Sequence, residues 1–90
     1  MKLVVTIVGK DRVGIIAMVS NVLAENQVNI LNINQNIMDG FFNMVMIAEM
    51  SDNGKMKLPE LQKILKEKGA AMGLDIKAQN QEIFNVTHNI

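Results

Sequence analysis

Cysteine is absent from the 90-residue chain, which excludes disulfides, thiolate metal sites and thiol nucleophiles together. Histidine occurs once, as His88, so a zinc site would have to draw nearly every ligand from carboxylates, an unusual donor set for that metal. No metal and no cofactor are expected. Tryptophan and tyrosine are missing, and Phe41, Phe42 and Phe84 are the only aromatics. A platform for stacking bases is therefore poorly supplied. The chain also lacks a charge excess, because nine Lys and Arg offset nine Asp and Glu. Nucleic-acid binders take much of their affinity from neutralising phosphates, and this balance argues against that role. Long apolar runs are missing too. No segment approaches the roughly 20 apolar residues that span a bilayer. The run that begins at Leu3 is only about seven residues, carries Thr6, and ends in a charged turn rather than a small-residue cleavage site. A soluble, cytoplasmic protein is the expectation.

What the chain does have is apolar material, 49% of its residues, arranged in two alternating periods. Leu3 to Gly9 is rich in β-branched residues and bounded by Gly9-Lys10-Asp11-Arg12, which predicts a strand. From Gly14 the period changes. Ile15, Val19, Val22 and Leu23 recur at helical spacing with Ser20, Asn21 and Glu25 opposite, a helix of about twelve residues ending at Asn26-Gln27. Val28 to Met38 alternates, with Leu31, Ile33 and Ile37 against Asn32, Asn34 and Asn36. Val28 and Ile30 are out of phase with that set, so a bulge near Ile30 is expected. Asp39-Gly40 is a two-residue hairpin signal of the type that needs positive φ at both positions. The return strand, Phe41 to Met50, is apolar on both faces and should be central, which leaves the asparagine-rich strand for the edge. Pro59 opens a second helix, with Leu58, Leu61, Leu65 and Met72 as its buried stripe. Gly69 interrupts that stripe, Gly73 stops it, and Leu74 to Gln79 returns as a strand. The alternation resumes over 82–86.

The order is β-α-β-β-α-β over residues 1–90, a single domain without repeats or linkers. Such a chain folds as a ferredoxin-like α+β sandwich, a four-stranded antiparallel sheet with two helices on one face. A domain this short buries only about 60–65% of its unfolded surface, so help from a second subunit is expected.

The most informative stretch is the first strand-to-helix turn, Gly9 to Ile16. The first amides of a helix lack partners, and the macrodipole adds about half a positive charge there. Gly14 has no Cβ to keep a ligand away. A carboxylate held by these amides, with Asp11 near an ammonium group, is one reading. The other has Asp11 capping the helix and Gly14 serving only close helix–sheet packing.

Asp11-Arg12-Val13-Gly14-Ile15-Ile16-Ala17, directly after a Val/Ile strand, resembles the signature of ACT domains, small regulatory modules that bind amino acids. The similarity extends over the whole chain, and the ending Ile83-Phe84-Asn85-Val86-Thr87-His88-Asn89-Ile90 is similar to that of small stand-alone bacterial members of unknown function. The resemblance implies a homodimer through the second-strand edge and first helix, with a small amino acid at the interface. Carried over by position, the ligand would lie against Asp11, Arg12, Val13, Gly14 and Ile15, facing Asn29, Ile30, Leu31 and Asn32 of the other subunit. Val13 stands where many members have proline, which implies a less rigid turn. Output would pass to a separate effector protein, because no catalytic domain is attached.

Other constellations read as structure. Asn29, Asn32, Asn34 and Asn36 suit an edge that meets its symmetry mate without charge repulsion. Met44, Met46 and Met50 are better explained by core packing than by a soft metal. Lys55, Lys57, Lys63, Lys66 and Lys68 form a solvated helix face, and His88 belongs to the tail. A ligand-free interaction module is the main alternative. An acylphosphatase-like enzyme using Arg12 with Asn34 or Asn43 is a remote one, since the second-arginine, glycine-rich loop of that family is missing.

Overall fold

The period switches become elements where the residue types demand them. A computed structural model describes residues 1–82 and contains β1 (Lys2–Lys10), α1 (Ile15–Glu25), β2 (Val28–Met38), β3 (Phe41–Met50), α2 (Leu58–Ala71) and β4 (Leu74–Asn80). The four strands form one antiparallel sheet in the order β2-β3-β1-β4. The chain is thus a ferredoxin-like α+β sandwich, as expected.

The sheet has an inner face and an open face. Leu3, Val5 and Ile7 of β1, Phe42, Met44, Met46 and Ala48 of β3, and Leu74, Ile76 and Ala78 of β4 are buried in one cluster with Ile15, Val19, Val22, Leu23, Leu61 and Leu65 of the helices. Each large side chain buried there contributes on the order of 1.5–3 kcal/mol. The three methionines of β3 are 1%, 0% and 4% exposed in this cluster, which identifies them as packing residues. The β3 register also makes it central, between β2 and β1.

The Asp39-Gly40 hairpin has φ of 52° and 79° at its two positions, the positive pair its type requires. A register shift separates Ile30 from Asn32, so Leu31 has no opposite residue. This bulge resets the phase of β2. Asn29 pairs with Glu49 and Asn32 with Ile47, and both therefore lie on the open face although they stand an odd number of positions apart.

Two glycines act by close approach. A Cβ on Gly69 would stand 2.8 Å from Ile76 Cδ1, and one on Gly9 would stand 2.7 Å from Leu74 Cδ2 and 2.9 Å from the Gly73 carbonyl. Gly69 thus does not break α2, which runs straight through it. It lets the helix settle onto β4. The Ile83–Ile90 segment, with Phe84 and His88, lies outside the described residues. Among the described residues Gln81 and Glu82 follow β4, in a helical turn whose Glu82 N–H donates to Asn80 Oδ1 at 2.9 Å. The resumed alternation expected at 82–86 lies, beyond Glu82, outside the described residues. Among the described residues, no helix is long and apolar enough to cross a membrane.

Candidate functional site

β1 delivers the chain to one end of the sheet, where Lys10 pairs with Phe41 beside the β2–β3 hairpin. The following turn is pinned there by a single bond: the Asp11 N–H donates to the Gly40 carbonyl at 2.8 Å. Gly14 then enters α1 as its N-cap with φ 95° and ψ 0°, a conformation in which any side chain is strained. Its carbonyl accepts from the Met18 N–H at 2.9 Å, which closes the first helical turn.

Two parts of the packing alternative are corrected by this geometry. Asp11 does not cap the helix, since no side chain caps α1 and no acidic residue stands in its first turn. The reason is position: Gly14 occupies the cap and Asp11 is held back toward the hairpin. Gly14 is also not a close-packing glycine, because the nearest atom to a Cβ there would be Met72 Cε at 4.0 Å. The residue that packs tightly is Gly9, which the sequence marked only as a strand boundary. The signal for it is a glycine at a strand end with no turn requirement of its own.

Around this uncapped helix end the surface is open. Asp11, Arg12 and Gly14 are exposed, Val13 is 96% exposed and Ile16 40%, while Ile15 points into the core at 2%. The side chain of Ile15 is thus core, and only its backbone belongs to the turn.

Asn29, Ile30, Leu31 and Asn32 lie at the far end of the molecule. Asn29 pairs with Glu49, which pairs with Lys2, and Lys2 lies eight residues from Lys10 along β1. At about 3.3 Å per strand residue the two predicted halves are separated by roughly 26 Å. One chain does not bring them together. Of these four residues, only Ile30, opposite buried Ala48, faces the helices. Asn29 borders a cleft of about 330 Å³ with Gln27, Glu49 and Ser51. A cleft of about 440 Å³ at the C-terminal end of α1 lies beside Gln27, Ser51, Asn53 and Lys55. The lysines of the α2 region, Lys55 to Lys68, are all exposed. Among the described residues, no cluster of three or more His, Asp or Glu could hold a metal ion.

From Leu31 onward every residue of β2 is exposed. On the helix side Ile33 and Ile37 are 42% and 51% exposed, although they stand opposite buried Met46 and Phe42. On the other side Asn32, Asn34 and Asn36 stand opposite Ile47, Val45 and Asn43.

A ferredoxin-like sheet with an uncapped helix N-terminus presented by a positive-φ glycine defines the broad class, a small α+β module. The particular family follows from comparison, and the chain belongs to the ACT domain family, which it matches over residues 1–79. It is 50% identical over 90 residues to a UPF0237 protein of Clostridium perfringens, with 100% of both chains covered. An ACT domain protein from Streptococcus pneumoniae superimposes with a TM-score of 0.79 at 34% identity, covering 93% of each chain. A formyltetrahydrofolate deformylase from Pseudomonas putida superimposes with a TM-score of 0.78 at 15% identity, over 89% of this chain and 29% of that one. That last likeness is one of fold alone.

Proposed function

We propose that the chain is a non-catalytic regulatory module that binds a small amino acid or related carboxylate at a homodimer interface formed by the β2 edge and α1. The observation that carries this reading is the uncapped N-terminus of α1, presented by Gly14 with open space above it. Its free amides and the helix dipole suit a carboxylate. Asp11, exposed in the same turn, would meet an ammonium group.

Two-fold symmetry supplies the missing half. Antiparallel pairing of β2 with the same strand of a copy sets the start of one strand beside the end of the other. The turn at Asp11–Ile15 of one subunit then meets Asn29–Asn32 of its partner, together with the clefts at Gln27 and Ser51. Pairing would also cover Ile33 and Ile37, which are 42% and 51% exposed. Ligand bound across such an interface stabilises the dimer by mass action. Signalling to an effector protein requires differential affinity for two arrangements of the pair.

A thermal-shift screen of the twenty amino acids, run alongside sizing by light scattering, tests the proposal. The expected result is a dimer whose melting temperature rises with one or a few amino acids at millimolar concentration. A dimer indifferent to all of them would overturn the sensing claim and leave pairing itself as the function, a reading favoured by the place of β2 at the sheet edge, unpaired on its outer side among the described residues. A monomer at all concentrations would overturn both.

A further inference from the structure

The edge strand β2 has a regular stretch with definite ends. At one end the bulge leaves Leu31 without an opposite residue, and at the other the Asp39-Gly40 turn leads into β3. Between them Asn32 to Met38 follow β3 without a break, from Asn32 opposite Ile47 to Met38 opposite Phe41. All of these residues are exposed, and among the described residues no strand pairs with their outer side. Ile33, Gln35 and Ile37 stand opposite buried Met46, Met44 and Phe42 and so face the helix side, while Asn32, Asn34, Asn36 and Met38 face the open side. Gln35 is the midpoint of the stretch.

We propose that two copies pair along this stretch with Gln35 on the two-fold axis, each Gln35 opposite the partner's Gln35. The inference rests on the pairing proposed above and fixes its register. Opposite residues of an antiparallel pair share a face, so the axis must pass through a residue position. Centring on Gln35 is the one choice that uses the whole stretch, because any other runs one end into the bulge. The side chains agree with the geometry. Ile33 meets the partner's Ile37 on the helix side, and Asn34 meets the partner's Asn36 on the open side. An axis at Asn34 would instead set Ile33 against the partner's Gln35 and Ile37 against the partner's bulged Leu31. An axis at Asn36 would set Gln35 against the partner's Ile37 and Asn34 against the partner's Met38. Like meets like only at Gln35. The stretch carries no charge to repel its copy, and the asparagine amides both donate and accept, so they suit their own kind.

The register also places the α1 turn. Across the bulge Asn29 lies two positions beyond Asn32 along β3, as Glu49 lies two beyond Ile47. Gly40 lies two positions beyond Met38, so Asn29 comes level with the partner's Gly40. Gly40 is the residue whose carbonyl holds the Asp11 N–H. Moving the axis by one residue would displace that juxtaposition by two positions, about 7 Å.

The absence of native cysteine makes the test clean. Opposite residues of an antiparallel pair have Cα atoms about 4.5–5.5 Å apart, within reach of a disulfide. Residues two positions out of register are about 8 Å apart, beyond it. Under mild oxidation of the full chain, Gln35→Cys should give at least about tenfold more covalent dimer than Asn34→Cys or Asn36→Cys alone. An equal mixture of Asn34→Cys and Asn36→Cys chains should give the mixed disulfide by non-reducing mass analysis. That mixture also decides the register if the Gln35→Cys chain fails to fold. A dimer whose covalent product is dominated by Asn34→Cys or Asn36→Cys alone would overturn the register and leave the pairing standing. A dimer that forms no disulfide at any of these positions would overturn pairing through β2. Light scattering of the reduced chain supplies the remaining outcome: a monomer at all concentrations would overturn the pairing and the register together.

Discussion

The sheet has two edges, and they are built to opposite specifications. β2 is eleven residues long and contains no charged residue. β4 is seven residues long, carries Asp75 and Lys77, and is overlaid by α2. Its Ala78 carbonyl is occupied by the Gln62 side-chain amide at 2.7 Å, and Lys77 Nζ stands 3.8 Å from Asp75. Exposed edges invite unwanted pairing, and shortness, charge and a covering helix are the usual deterrents. β4 has all three, whereas β2 has only its bulge at Leu31 and the cover of α1 over its first residues. The difference is the one that the proposed pairing requires: among the described residues, the chain protects one border of its sheet and leaves the other open.

The contrast can be broken most directly at β2. Ile33→Lys places a charge on the helix-side surface that pairing would bury, and should weaken dimerisation by about 100-fold or more, roughly 2.7 kcal/mol. Light scattering across a dilution series reads the effect, and an unchanged dimer would mean that association uses another surface. Next in size is a reversal at the other border. Asp75→Val, Lys77→Val and Gln62→Leu together remove the charges of β4 and its side-chain cover, leaving only α2 and the shortness of the strand. That chain should form concentration-dependent species larger than a dimer by size exclusion, whereas the parent should not.

A third substitution separates pairing from binding. Gly14→Val forces a β-branched residue to φ near 95°, at a cost of about 1–2 kcal/mol. The melting temperature should fall by several degrees and any amino-acid response should disappear while the dimer persists. Loss of the dimer along with the response would merge the two functions at one turn. The smallest effect is expected for Gln62→Ala alone. Releasing the Ala78 carbonyl should cost about 0.5–1.5 kcal/mol in chemical denaturation without changing oligomeric size, because Asp75, Lys77 and α2 remain.

Much of this architecture is legible in the sequence because the periods are clean. Leu3-Val5-Ile7 and Phe42-Met44-Met46-Ala48 alternate by two, Ile15-Val19-Val22 by helical steps, and Asp39-Gly40 allows few turns but one. Even the bulge is visible, since Ile30 and Ile33 both ask for the inner face and only an extra residue lets both have it. The phase on the other side was less legible: which face Asn29 shares with Asn32 depends on where the bulge falls, and composition cannot show that. The glycine roles were hidden for a different reason. Gly9 and Gly69 are dictated by Leu74 and Ile76, residues far along the chain, whereas Gly14 is dictated by its own backbone angle. The edge assignment of β4 rests on Gln62, whose amide bonds a strand sixteen residues away. The candidate site was least legible, because its two halves lie at opposite ends of one subunit and the pattern of one chain contains no symmetry axis.

The bond from the Asp11 N–H to the Gly40 carbonyl has a mechanical meaning. Gly40 joins β2 to β3, so the loop that leads into α1 is tethered to the tip of the same hairpin whose outer arm is the unpaired edge. A displacement of that loop along the strand direction cannot exceed the slack of one 2.8 Å contact without tugging on the hairpin tip or snapping the tether. The domain therefore has a short linkage, like the pin of a latch, between the place where a small molecule would sit and the rail along which two copies would slide into register.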